Sequence, residues 1–299
     1  MWGDREGKEK YRRKEKMPPA AGRGSSPPGP SPDRGGGLRR VRLALQHADR
    51  EEFRIDVGRP DAFYIAPEAF AAPFALTGGE AAHCAKVLRK RLGDVVRVFD
   101  GQGREGLFSI AAVARDRVGL SPIELTDVPP PESRIHLAAG FSRSARRDMF
   151  LEKAVELGAA GIVFWQAARS QGRMPDAPKD AWTATLVAAA KQCGAARLPG
   201  LAVEPGGAAA LARDHGPRHD RRYLLWEDPG VSRRLAALDV AAPGDALFVL
   251  GPEGGFEEAE ARCCIEAGFV PVTLGPRVLR WETAALAVLA LGLLGTGQD

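Results

Sequence analysis

The sequence predicts an α/β protein, a parallel sheet with helices on both faces, preceded by a small β-barrel. Two patterns carry this. Beyond residue 132, strand-like and helix-like runs alternate, and most of the helices stop at a glycine, which is the rhythm of stacked strand–helix–strand units. Between residues 63 and 128 the β-like runs are short, punctuated by turns and interrupted by a single helix. Length and composition agree: 299 residues, 44% hydrophobic and 27% charged, suffice for about two ordinary domains with buried cores.

From the amino end, residues 1–16 are polar and charge-mixed, and Pro and Gly make up 12 of the 24 residues from Met17 to Arg40. Such a stretch buries too little apolar surface to offset its ordering entropy. Residues 1–60 are therefore read as a disordered, basic, Pro/Gly-rich extension, with 41–60 its less marked part. It is a solvated extension, a start codon placed too early, or an RNA-tethering arm. In the barrel (61–128), Val95–Phe99 is a strand, Asp100–Gly103 a turn and Leu107–Ile110 the returning strand. Arg117–Leu120 and Pro122–Leu125 add further β-like pieces. The one helix runs from Glu80 to Arg91, with Gly93 as its cap. Phe74, Phe99 and Phe108 fit the barrel core, and Pro129–Pro131 reads as a linker.

In the second domain (129–299) the strands are Ile135–Ala139, Ile162–Trp165, Tyr223–Trp226, Ala246–Leu250 and Val270–Leu274. The helices are Asp148–Leu157, Ala181–Gln192, a short one near Ser232–Leu238, Glu257–Ala267 and Glu282–Leu294. Gly158, Gly194 and Gly268 stop three of them.

Several function classes are disfavoured. The longest apolar run, Ala284–Leu294, is shorter than the roughly 20 residues a membrane span needs, so no membrane partner is expected. Cys84, Cys193, Cys263 and Cys264 form no C-x-x-C pair, and the histidines form no H-E-x-x-H motif, so neither a disulfide framework nor a metal is expected. A reducing cytoplasm is the expected location. The pI of about 9.0 belongs to the tail. Residues 1–40 hold 11 Lys/Arg against 5 Asp/Glu, leaving 31 against 33 in the remaining chain. Any nucleic-acid surface of the folded part must arise from clustering.

In an open α/β sheet, ligands collect beyond the carboxyl ends of the strands. Two loops at such ends stand out. Gly251-Pro252-Glu253-Gly254-Gly255-Phe256 follows the strand Ala246–Leu250, and its glycines permit close backbone approach to a ligand. Gly275-Pro276-Arg277-Val278-Leu279-Arg280-Trp281-Glu282-Thr283 follows Val270–Leu274 and sets two cations, a carboxylate and a hydroxyl before an apolar helix. Neither is a phosphate-cradling P-loop or a dinucleotide G-x-G-x-x-G loop.

The segments LGPEGGFEEAE and LGPRVLRWETA closely resemble the paired carboxyl-terminal motifs of the 16S ribosomal RNA (uracil-N3) methyltransferases, the RsmE-type branch of the SPOUT superfamily. EKAVELGAAGIVFWQAARS, AAAKQCGAARLP and HCAKVLRKRLGDVVRVFDGQGRE extend the likeness, which covers about residues 62–295. The resemblance implies a SPOUT-type trefoil-knotted sheet behind a PUA-like RNA-binding barrel, a homodimer paired through the knotted domain, and S-adenosylmethionine held in the knot loops. It implies that Leu250, Gly251, Gly254, Leu274, Gly275, Leu279 and Thr283 line the cofactor site. The chain departs from the family pattern in two places. His83-Cys84 stands where the family often has His-His, and Ala195 where it usually has Arg, with Arg197 nearby as a substitute.

Transfer to uridine N3 of 16S ribosomal RNA in the small subunit, the reaction the resemblance implies, needs alignment, a proton acceptor and a cation for the developing uracil oxyanion. Arg280 is the candidate cation, and Glu253 and Glu282 are candidate bases or orienters. Each has a plainer reading: Glu282 as a carboxylate at a helix dipole, Glu253 as a brace for its loop, Arg280 as half of an ion pair. Arg89, Lys90 and Arg91, then Arg143, Arg146 and Arg147, with Lys153, are the candidate RNA contacts, or else solvated charged helix faces. Two other readings stand beside this one: another SPOUT enzyme acting on tRNA or a different base, and a non-catalytic RNA-binding ribosome-assembly factor.

Overall fold

The computed structural model describes residues 39–41, 59–142 and 145–295. Most of the expected 1–60 extension, and Arg143, lie outside them. Within the extension, Arg39–Val41 forms a strand, β1, so disorder does not hold at those three positions. Its backbone pairs antiparallel with Leu125–Asp127, at the end of the barrel's longest strand.

The barrel sheet contains β2 (Ala62–Tyr64), β3 (Ala75–Thr77), β4 (Val95–Phe99), β5 (Arg104–Val113) and β6 (Arg117–Asp127). The order is β1-β6-β5-β4-β2, with β3 closing onto β6. The two β-like pieces expected at 117–125 are one strand, because Ser121 and Pro122 stay paired to β5 across a register shift. Alternation explains the curl: Phe108 and Ile110 of β5 face inward with Val96 and Val98 of β4, around Phe63, Leu76 and Val118. Phe74 packs at the margin of that core, as expected. Phe99 does not belong to it. Its ring and that of Tyr64 enter the core of the second domain, their centroids 5.7 Å apart.

The barrel helix differs from its expected span. It starts at Gly78 as α1 (Gly78–Ala82) and widens into a π-helical turn, His83–Val87, where the Leu88 N–H donates to the His83 carbonyl. Arg89 then takes a left-handed φ of 53°, which breaks the run well before Arg91.

The second domain is a six-stranded, wholly parallel sheet. Its strands are β7 (Ser133–Gly140), β8 (Gly161–Trp165), β9 (Gly200–Glu204), β10 (Arg221–Leu225), β11 (Gly244–Leu250) and β12 (Val270–Val272), in the order β12-β10-β11-β7-β8-β9. The helices are α2 (Ala145–Glu156), α3 (Asp180–Cys193), α4 (Gly207–His215), α5 (Ala237–Ala241), α6 (Glu258–Glu266) and α7 (Trp281–Gly295). Strand residues alternate between two cores. Leu137, Phe164 and Phe248 meet α2, α3 and α7, while Ala138, Val163, Leu247 and Val249 meet α4 and α6. Helices on both faces follow directly. From β7 the chain steps outward through β8 and β9, then crosses to the far side for β10. The order therefore reverses between β7 and β11, the place where such sheets open a crevice.

The two domains are tied by polar contacts as well as by Phe99. Arg97 binds Glu105 and donates to the carbonyls of Gly194 and Ala195 at the end of α3, at 3.1 and 3.2 Å. Arg197, the suggested RNA-holding substitute, instead donates twice to the Val128 carbonyl, at 3.0 and 2.7 Å. It anchors the joint between domains.

Candidate active site

The carboxyl ends of β10, β11 and β12 open into a cleft of about 630 Å³. Its walls are built by three loops. The first is the glycine loop after β11. Trp165 of β8 donates its indole N–H to the Leu250 carbonyl at 3.1 Å and stacks on Phe256, so both ends of the loop are pinned from below. The Gly255 N–H closes a turn on the Pro252 carbonyl at 2.9 Å, which presents Glu253 at the tip. β7 helps shape this loop, because a Cβ at Gly140 would overlap the backbone nitrogen of Pro252. Only glycine admits that approach.

The second loop follows β12. The Thr273 hydroxyl donates to the Gly275 carbonyl at 3.0 Å and accepts the Gly275 N–H at 3.2 Å. Gly275 has a φ of +149°, which side chains rarely adopt. The chain then lays Leu274, Leu279 and Arg280 along the cleft. The third loop, Trp226–Pro229 after β10, contains no residue the sequence reading singled out. Trp226 donates its N–H to the Val272 carbonyl at 3.3 Å, and Glu227 and Asp228 line the cleft behind it.

Of the residues expected to hold a cofactor, Leu250, Gly251, Gly254, Leu274 and Leu279 line the cleft. Gly275 sets the shape of its loop without lining it, and Thr283 is exposed on the first turn of α7, outside the lining.

The expected catalytic group is joined by Arg146, a candidate RNA contact on its sequence. Arg146, in the first turn of α2, reaches into the cleft. Its Nη1 donates to Glu253 at 3.5 Å and its Nε lies 3.5 Å from Glu282. Glu282 is 5% exposed, and its second oxygen, Oε2, has no hydrogen-bond partner. Glu282 thus braces the buried side of a guanidinium whose other side faces the cleft. Arg280 is exposed, and among the described residues it has no carboxylate partner. Arg169, also missed, covers the glycine loop from the β8 side and donates to the Gly254 carbonyl at 3.1 Å. It lies within the quoted FWQAARS segment, so a signal was present.

The other basic candidates separate. Arg89 and Arg91 are exposed on the barrel, whereas Lys90 pairs with Asp61 at 2.7 Å. Arg147 lies over the Trp182 ring, 4.9 Å from its centroid, and is mostly buried, so it belongs to packing rather than to an open basic face. Lys153 sits between Glu152 and Glu156, 2.8 Å from each. Among the described residues, no cluster of His, Cys, Asp or Glu could hold a metal, and no helix is long and apolar enough to cross a membrane.

Residues 129–292 match the RNA methyltransferase domain family, and residues 76–122 match the RNA methyltransferase PUA domain. Ribosomal RNA small subunit methyltransferase E of Mycobacterium tuberculosis is 31% identical over 230 residues, covering 74% of this chain and 87% of that protein. The protein of the same name from Bacillus subtilis is 29% identical over 234 residues, covering 74% and 89%. Among solved structures, ribosomal RNA small subunit methyltransferase E of Neisseria gonorrhoeae bound to S-adenosyl methionine superposes with a TM-score of 0.64. It is 28% identical and covers 78% of this chain and 96% of that one. A Legionella pneumophila methyltransferase in complex with bound cofactor SAM gives a TM-score of 0.66 at 29% identity, covering 78% and 97%. The likeness thus runs along nearly the whole length of these relatives, through both the barrel and the parallel α/β domain, and the chain belongs to the RsmE-type RNA methyltransferases, the ribosomal RNA small subunit methyltransferase E family.

Proposed function

We propose that this protein methylates N3 of a specific uridine in 16S ribosomal RNA of the small subunit, with S-adenosylmethionine as donor. The observation that carries the reading is the cleft itself, where two family-matching glycine loops meet charged groups at one sheet edge. The residues fit the cofactor. A volume of about 630 Å³ is lined by Leu225, Leu250, Leu274 and Leu279, which suit an adenosine, and by exposed backbone beside Gly251 and Gly254 for polar contacts. When bound, S-adenosylmethionine supplies an electrophilic methyl carbon, and its sulfur departs as a neutral thioether with the S–C electron pair.

The imide nitrogen of uracil is a weak nucleophile until it loses its proton, and the resulting charge spreads onto two flanking carbonyl oxygens. Arg280, exposed at the cleft and free of carboxylates among the described residues, is the cation placed to meet that charge. Glu253 and Glu282 act as orienters, because both are engaged by Arg146. The target base must leave its stack to enter the cleft, and Arg89 and Arg91 on the PUA-like barrel grip backbone phosphates. We also propose that residues 1–60, apart from the strand Arg39–Val41 paired to the barrel, form an extension outside both folded domains. The carboxyl-terminal segment is threaded as a trefoil knot, two copies pair through that domain, and the protein works among ribosomes in the cytoplasm. The family match supports the knot.

The test is methyl transfer from labelled S-adenosylmethionine to small ribosomal subunits and to naked tRNA, with nucleoside analysis. N3-methyluridine from subunits is expected. Label in tRNA would favour another SPOUT substrate, and RNA binding without methyl transfer would favour an assembly factor.

A further inference from the structure

We propose that Glu227 is the proton acceptor of the reaction, a role that rests on the uridine-N3 reading above. Elimination at the cleft carries the argument. Asp228 is consumed by its own turn: its Oδ1 accepts the Gly230 N–H at 2.7 Å and its carbonyl the Val231 N–H at 2.9 Å. Glu253 and Glu282 are both engaged by Arg146. Glu257, on the outer side of the glycine loop, faces Arg169 at 3.9 Å. Glu227 lines the cleft and makes no hydrogen bond or ion pair among the described residues. Its backbone is held, because Trp226 before it is bonded to the Val272 carbonyl.

The electrostatics agree. Glu227 is exposed at the cleft, yet partial desolvation by the surrounding walls pushes its carboxyl above the ordinary glutamate value. The charged groups facing the same space are Arg146, Arg169, Asp228, Glu253, Arg277 and Arg280. A carboxylate more basic than in water suits general-base work. In the step, the N3–H bond breaks and an O–H bond forms on Glu227. The electron pair left on N3 forms the new N–CH3 bond, and the proton passes from Glu227 to water after product leaves.

The experiment compares wild type, Glu227→Gln and Glu227→Asp on small ribosomal subunits, quantifying N3-methyluridine, with S-adenosylmethionine affinity measured separately by calorimetry. Glu227→Gln is expected to lower kcat by about 100- to 1000-fold while cofactor affinity stays within about threefold. Its rate should climb roughly tenfold per pH unit as hydroxide replaces the missing base. Glu227→Asp should retain part of the rate. Subunits carrying 5-fluorouridine, whose imide is more acidic, should narrow the gap between the Gln variant and wild type, which a purely structural role would not do. Near-wild-type kcat with an unchanged pH profile overturns the proposal. So does a loss confined to cofactor affinity, which would make Glu227 a ligand for the cofactor's ammonium. Absence of N3-methyluridine from the wild-type product overturns the underlying reading, and the proposal with it.

Discussion

The two ends of the parallel sheet treat charge in opposite ways. At the amino end, Asp245 accepts a bidentate pair from Arg134 at 2.8 and 2.6 Å and a contact from His136 at 2.8 Å, while its own N–H donates to Asp220. His136 packs edge-on against His219, which is bonded in turn to the His215 carbonyl. Each of these charged groups has a partner within the protein. At the carboxyl end, Glu227 and Arg280 have no charged partner among the described residues, and Glu282 keeps one buried oxygen unsatisfied. A buried polar atom without a partner costs free energy, as at Glu282 Oε2, and Glu227 and Arg280 are exposed there without charged partners among the described residues, so this edge is organised for a ligand that completes it. The charged cluster around Asp245 at the amino edge is satisfied within the protein and serves stability.

The sharpest way to break this contrast is Arg280→Ala. Loss of a cation facing developing charge should lower kcat by at least about 100-fold. The melting temperature should stay within a few degrees, since the side chain is exposed and unpaired. Near-normal turnover would remove Arg280 from the mechanism. Next, Glu282→Gln should lower kcat by about 10- to 100-fold through a misplaced Arg146, the scale expected of a lost supporting contact. Steady-state kinetics would show the loss in kcat, with S-adenosylmethionine affinity retained.

At the amino edge the effects should appear in stability alone. Arg134 foremost, opposed by some burial and aided by His136, holds the Asp245 carboxyl down to about 2. A group lowered in the fold contributes stability above its unfolded value, near 3.8, and that contribution fades as pH falls toward 2. Burial likewise lowers His136 and His215 from 6.5, so they favour the fold above about pH 6.5 and oppose it progressively in acid. Asp245→Asn should cost about 1–2 kcal/mol at pH 7, discounted for partial exposure, and flatten the pH 4 to 2 portion of the urea-unfolding curve. Its kcat should match wild type.

The smallest expected effect is on RNA grip. The double change Arg89→Gln, Arg91→Gln should weaken binding several-fold and reduce the slope of log affinity against log salt by about 1 to 2. Lys153→Gln, already neutralised by two glutamates, should leave that slope unchanged. Equal slopes for all three proteins would move the RNA surface elsewhere.

The sheet was legible wherever residues were both apolar and bounded by glycine. β4 runs from Val95 to Phe99 as expected, and Gly158, Gly194 and Gly268 close α2, α3 and α6. β9 and α4 were missed. The strand GLAVE contains only one β-branched residue and sits at the sheet edge, and the helix after it opens on Gly206-Gly207 with no side-chain cap. The short helix before β11 lies later than expected, at Ala237–Ala241, where Asp239 accepts the Ala236 N–H. Within the site, the glycine loops announced themselves, whereas Glu227 did not. Its loop has no motif, only a carboxylate placed two residues after β10 at the edge where ligands collect. Arg146 was visible as a cation, but its orientation depends on Glu253 and Glu282, which lie more than a hundred residues away.

Phe99 has a practical consequence for anyone dissecting the protein. The proline run at 129–131 invites a cut there, yet a fragment beginning at 129 would lose the rings of Phe99 and Tyr64 from its own core. It would also leave the α3 carbonyls of Gly194 and Ala195 without Arg97. Such a piece presents an empty apolar socket to solvent, a surface prone to self-association. Poor behaviour of the truncated protein would then report a torn core, and would say nothing about how much the barrel contributes to choosing the RNA.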